Sequence, residues 1–134
     1  MRVDPERSSG GDPLDMFVAA RLGEDELRAL EAGQDIWQPG DRWLATPAGS
    51  AWSTQRDDHV LTLCGSGTPA QVLAHVVRHD PEHVLRDIAA KRRIHGAYRR
   101  AKPGSTNRSG LSIALRALAC TWADHPHFQV AWRA

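Results

Sequence analysis

The sequence predicts an α+β fold: an N-terminal helix, a three-stranded antiparallel β-meander, then three helices packed on one face. Two observations carry most of this. Asp12-Pro13, Thr68-Pro69 and Asp80-Pro81 each place a capping side chain before a proline, the usual opening of a helix. Between the first two, residues 37–64 break into short apolar runs separated by turn residues, the texture of antiparallel strands. With 134 residues, 41% of them apolar and a net charge of +1, the chain has the size and composition of one domain with one core. Residues 1–11, polar and rich in Gly and Ser, read as a flexible tail, and 12–134 as the single domain.

The first helix starts at Asp12-Pro13 and ends near Gly33, a suitable C-terminal cap. Met16, Ala20, Leu27 and Leu30 follow helical spacing with Phe17 beside them, and they are taken as its apolar face. Gly23 weakens the middle, and Glu24, Asp25 and Glu26 form a solvated face. The strands are expected over Arg42–Thr46, Ala51–Arg56 and His59–Cys64, with Pro47-Ala48-Gly49 and Asp57-Asp58 as turns.

Helical periodicity returns after Gly65-Ser66-Gly67. Val72, Leu73, Val76 and Val77 make one face of a helix from Thr68-Pro69 to Asp80. Asp80-Pro81 ends it and caps the next, which runs to about Ala101 with Val84, Leu85, Ile88, Ile94 and Tyr98 as its buried stripe. After the loop 102–107, Ser109 is expected to cap a last helix with Leu111, Leu115, Leu118 and Trp122 inward, broadened by Ile113 and Ala117. His125-Pro126 stops it, and Phe128, Val130 and Trp132 fit a short strand as well as Phe128 and Trp132 fit one helical turn. The five tryptophans are expected in the core, Trp43 and Trp52 against the last helix.

Two motifs, His75-Val76-Val77-Arg78-His79-Asp80-Pro81-Glu82-His83-Val84-Leu85 followed by Ala90-Lys91-Arg92, and Leu115–Ala119 followed by Ala123–Pro126 and Trp132, resemble a family of small actinobacterial and actinophage proteins known only as a domain of unknown function. The likeness runs from about Leu14 and implies a fold and a genomic setting but no activity. Many relatives carry several cysteines before the last helix, at a spacing that suggests zinc. Residues 99–110 hold none here.

No leader-like apolar stretch opens the chain, no segment reads as a membrane span, and two separated cysteines make no disulfide framework. A cytoplasmic protein that does not act at a membrane is the expectation. No phosphate loop, nucleophile elbow or His-Glu-x-x-His is present, so a non-enzymatic role is expected, with no cofactor. A zinc site is the one cofactor option: His75 and His79 share a helical face at ligand spacing, and His125 is a third candidate ligand.

Charge is the most non-random feature. Residues 86–108 hold eight basic side chains and one acid, Asp87, whereas residues 1–35 hold four basic and nine acidic ones. Two readings follow. The acidic and basic segments neutralise each other within the fold or across a homodimer, in an interaction module that works through a protein partner or itself. Alternatively Lys91, Arg92, Arg93, Arg99, Arg100 and Lys102 contact the phosphates of a nucleic acid. The first is the leading expectation, because the chain is nearly neutral overall.

Overall fold

The computed structural model describes residues 11–33, 41–47, 50–54, 58–62 and 70–133, with residues 58–62 as backbone only. Most of the N-terminal tail, Trp37, the Asp57 turn residue, Cys64 and the Gly65–Pro69 helix entry lie outside the described residues. The elements run α1 (Pro13–Ala32), β1 (Trp43–Ala45), β2 (Ser50–Ser53), β3 (Asp58–Thr62), α2 (Ala70–Arg78), α3 (Pro81–Arg100) and α4 (Thr106–Ala119). Helices plus an antiparallel sheet make the class α+β. Contacts group into two compact units, residues 1–22 with 91–134, and residues 23–90.

In the first unit α1 begins where Asp12 Oδ1 accepts the Leu14 N–H at 3.1 Å, as the Asp-Pro signal requires. Its inward face is not the expected one. Leu14, Phe17, Val18, Arg21 and Leu22 are buried, while Met16 is 59% exposed and Ala20 is also exposed. Arg21 misleads the pattern: its guanidinium lies 5.4 Å from the centre of the Phe17 ring, so a charged residue occupies an inward position. Phe17 is the hub of an aromatic cluster, with Trp122, Phe128 and Trp132 ring centres at 6.3, 6.1 and 4.9 Å. Phe128 and Trp132 meet at 5.5 Å because the chain ends in a 3₁₀ turn, Val130–Arg133, which settles the choice between strand and helical turn.

The helix α4 starts four residues earlier than expected. Ser105, not Ser109, is its N-cap, accepting the Arg108 N–H at 3.1 Å, and Gly104 (φ 77°) makes the left-handed step into it. Leu115 and Ala119 are fully buried, whereas Ile113 is 71% exposed and Ala117 faces solvent, so the inward stripe is narrower than the apolar pattern.

In the second unit the strands pair in the order β1-β2-β3, all antiparallel. Trp43 opposes Ser53 and Ala45 opposes Ala51, and the β2–β3 register slips between Ala51 and Trp52. β1 and β2 are shorter than the runs that announce them. Buried Asp41 holds the open end of the first hairpin by accepting from Ser53 Oγ at 2.6 Å. Helix α2 packs on β1 and β2 through buried Leu73. It stops at the residue pair before Pro81, and α1 stops at Gly33, whose N–H donates to the Ala29 carbonyl at 3.0 Å.

Candidate functional site

The α2–α3 junction is built around Asp80, which is fully buried. One carboxylate oxygen takes the His83 N–H at 2.9 Å and caps α3. The other takes the Trp43 N–H at 3.0 Å and Arg42 Nε at 2.7 Å. Burial would raise the carboxyl pKa, but the Arg42 hydrogen bond and the two backbone donors outweigh it and hold Asp80 below the usual carboxylate value. This group is a joint between helix and strand. Its two oxygens take three protein donors between them, the work of a structural joint.

A second cluster ties the start of α1 to the end of α3 within the first unit. Asp12 Oδ2 accepts the Tyr98 hydroxyl, and Asp15 pairs with His95 Nε2 and, at 3.5 Å, with Arg99 Nε. Desolvation first, and the Asp12 hydrogen bond second, raise the Tyr98 pKa. The sequence reading missed His95 as a functional or structural group. Its signal is its place three residues before Tyr98 on the inward face of α3.

Of the expected basic residues, Arg92, Arg93, Arg99, Arg100 and Lys102 are exposed, and the four arginines lie within an arc of about 120° on α3. Lys91 leaves this face: its Nζ sits 5.7 Å from the Trp122 ring centre. Arg108 leaves it too, donating to the Tyr98 and Ala101 carbonyls at 3.1 and 3.2 Å at the end of α3.

The histidines are spent locally. His75 and His79 stack at 4.4 Å, and His79 Nδ1 donates to the His75 carbonyl at 2.9 Å. His125 packs edge-on to Phe17 at 5.6 Å, and its Nδ1 accepts the His127 N–H at 3.0 Å. His75 and His79 lie in the second unit and His125 in the first; among the described residues no group of three or more His, Cys, Asp or Glu is placed to hold a metal ion.

The described residues line several concavities. One of about 250 Å³ lies in the second unit against Ala29, Ala32, Trp43, Pro81 and Val84. Two of about 400 Å³ lie in the first, one against Met16, Phe17 and Trp132, the other against Tyr98, Arg108, Ser112 and Arg116. None of these is lined by His95, Asp15 or Asp80.

Among the described residues, one exposed apolar surface is the outer face of α1. Met16, Ala20, Gly23, Leu27 and Leu30 line it, and Met16, Leu27 and Leu30 are 59%, 57% and 41% exposed. These five sit on one unbroken helix, so helix geometry alone aligns them. Among the described residues no helix is long and apolar enough to cross a membrane.

No curated protein and no solved structure matches the chain. A sequence model described as a family of unknown function (DUF6221) matches residues 11–134, nearly the whole chain, and the protein belongs to that family.

Proposed function

We propose that the chain is a non-enzymatic interaction module that docks a protein on the outer face of α1. The observation that supports this reading is the exposed stripe Met16–Ala20–Gly23–Leu27–Leu30. It has the periodicity of a core-facing helix surface, yet the core of this protein is served by the opposite face, through Leu14, Phe17, Val18 and Leu22. A contiguous apolar face without an internal use is a surface for another molecule.

The test is a photoreactive amino acid placed at Leu27, with a control at exposed Arg116, irradiated in cells. The reading expects one defined protein adduct from position 27 and none from 116. Absence of any protein adduct at both Leu27 and Leu30 would sink it.

A second reading rests on a separate observation, the shared arc of Arg92, Arg93, Arg99 and Arg100, with Lys102 just beyond it. Such a face contacts phosphates, and its affinity for a nucleic acid would fall steeply with salt. Weak duplex binding, unchanged in a protein carrying Arg99→Ala and Arg100→Ala, would remove this reading and leave the first.

A further inference from the structure

We infer that the corner between α3 and α4 is a binding site for a small phosphate monoester, its phosphate held between Arg108 and Arg116 across Ser112. The site is separate from the outer face of α1 and does not rest on the docking reading above.

The concavity at this corner has a volume of about 400 Å³ and is lined by Tyr98, Arg108, Ser109, Ser112, Ile113 and Arg116. All six belong to the first unit. Two arginines and two serines line it, and no carboxylate is among the six, which suits it to an anion.

Helix geometry builds the row. Arg108, Ser112 and Arg116 follow one another at four-residue spacing on α4, about 12 Å from first to last, and share one face. Two long side chains at the ends of such a row can both reach a group above its middle.

Arg108 is held in place before anything binds. Its guanidinium lies over the Tyr98 ring at 4.0 Å, and its Nη1 donates to the Tyr98 and Ala101 carbonyls at 3.1 and 3.2 Å. Those two bonds leave out the Nε–Nη2 edge, with which an arginine takes two oxygens of one oxyanion. A side chain already immobilised loses little freedom on binding.

Arg116 supplies the second charge. It is exposed, and no acidic side chain pairs with it among the described residues. Ser112, half-buried between the two arginines, supplies a hydroxyl. A serine inside a helix commonly turns its hydroxyl back to the carbonyl four residues earlier, as Ser109 does to Ser105 at 3.2 Å. Ser112 makes no such bond, and its hydroxyl has no partner among the described residues.

These donors select the ligand. Two guanidinium groups and a hydroxyl match the doubly charged, three-oxygen end of a phosphate monoester better than a singly charged carboxylate. The concavity far exceeds a phosphate ion, so the body of the molecule lies against Tyr98 and Ile113, the latter 71% exposed at the rim. A duplex engages phosphates along a stripe, whereas one concavity takes one group.

Titration of the isotope-labelled full chain with glycerol phosphate, and separately with inorganic phosphate, tests this by amide and arginine Nε–H chemical shifts at an ionic strength held constant with chloride. Saturable shifts centred on Ser112, Arg116 and the Arg108 Nε–H are expected, with a Kd on the order of millimolar. Arg116→Gln, an exposed substitution that keeps the wild-type melting temperature, should weaken binding at least fivefold. Ser112→Glu, which sets an acid at the middle of the row, should weaken it at least tenfold. No saturable shift with either compound up to tens of millimolar overturns the inference. So do shifts that chloride alone reproduces, or an affinity that Arg116→Gln leaves unaltered. Binding of a DNA duplex that Arg116→Gln weakens, with no response to either small phosphate, overturns it in favour of a nucleic acid.

Discussion

The guanidinium of Arg108 lies 4.0 Å from the centre of the Tyr98 ring and, from that position, donates through Nη1 to the carbonyls of Tyr98 and Ala101. One side chain from the first turn of α4 thus satisfies two carbonyl groups at the open end of α3, where helices have no internal donors left. It also places a cation where the helix dipole is negative.

Arg108→Lys is therefore not a conservative change. An ammonium has donors enough for two carbonyls, but it cannot stack flat on the ring while making them, as the planar guanidinium does. A loss of about 1–2 kcal/mol is expected for Arg108→Lys and slightly more for Arg108→Ala, read as the midpoint of urea unfolding. Equal stability of wild type and Arg108→Lys would show that charge alone, and not the stacked plane, holds this corner.

The chain has one tyrosine, so ultraviolet titration of tyrosinate reports on Tyr98 alone. Desolvation and the hydrogen bond to Asp12 raise its pKa, so the midpoint should lie above the usual value of about 10. The sign follows from the folded state holding the proton more tightly. The stabilisation is complete below pH 10 or so and is lost as pH rises through the raised pKa. Asp12→Asn should bring the midpoint down. A wild-type midpoint at the ordinary value would mean the hydroxyl is not held by Asp12 in solution.

Asp80 has the opposite sign. Its pKa is depressed, so its contribution is present above the ordinary carboxylate range and disappears as pH falls through the depressed value. Asp80→Ala removes a helix cap and leaves the Trp43 N–H without its acceptor, which should cost about 2–4 kcal/mol. Arg42 is 41% exposed in its side chain, so Arg42→Ala should cost less, about 1–2 kcal/mol. Denaturant midpoints measured from neutral to acid pH check both. The gap between wild type and Asp80→Asn should narrow as acid protonates the wild-type carboxyl.

The starts of α1 and α3 and the end of α1 were legible from local chemistry, whereas the cap of α4 was expected at Ser109 and lies at Ser105. Asp12 and Asp80 cap α1 and α3, and Gly33 ends α1, because each acts on backbone groups within a few residues. The burial of α1 was not legible. Met16, Leu27 and Leu30 have the right period to be core, and Arg21 the wrong charge, yet Arg21 is 8% exposed and Leu27 is 57% exposed. Hydrophobic spacing names two possible faces of such a helix, and only the partners Phe17 finds in Trp122, Phe128 and Trp132 choose between them. The basic face on α3 was visible as a run of charge. That Lys91 and Arg108 leave it for aromatic rings depends on contacts with Trp122 and Tyr98, which a count of charges does not contain. The same limit hid the Asp15–His95 pair, whose members are 80 residues apart.

Gly23 gives the last prediction. It lies well inside α1, is exposed, has no close neighbour, and carries no positive φ. Gly23→Ala should stabilise the fold by about 0.5–1 kcal/mol, because alanine restricts the unfolded chain and favours helix at a site with room for a methyl group. For a chain of this length that corresponds to a rise of roughly 2–5 °C in melting temperature. Thermal unfolding of wild type and Gly23→Ala side by side checks this. A loss would mean that α1 requires the glycine for its own packing.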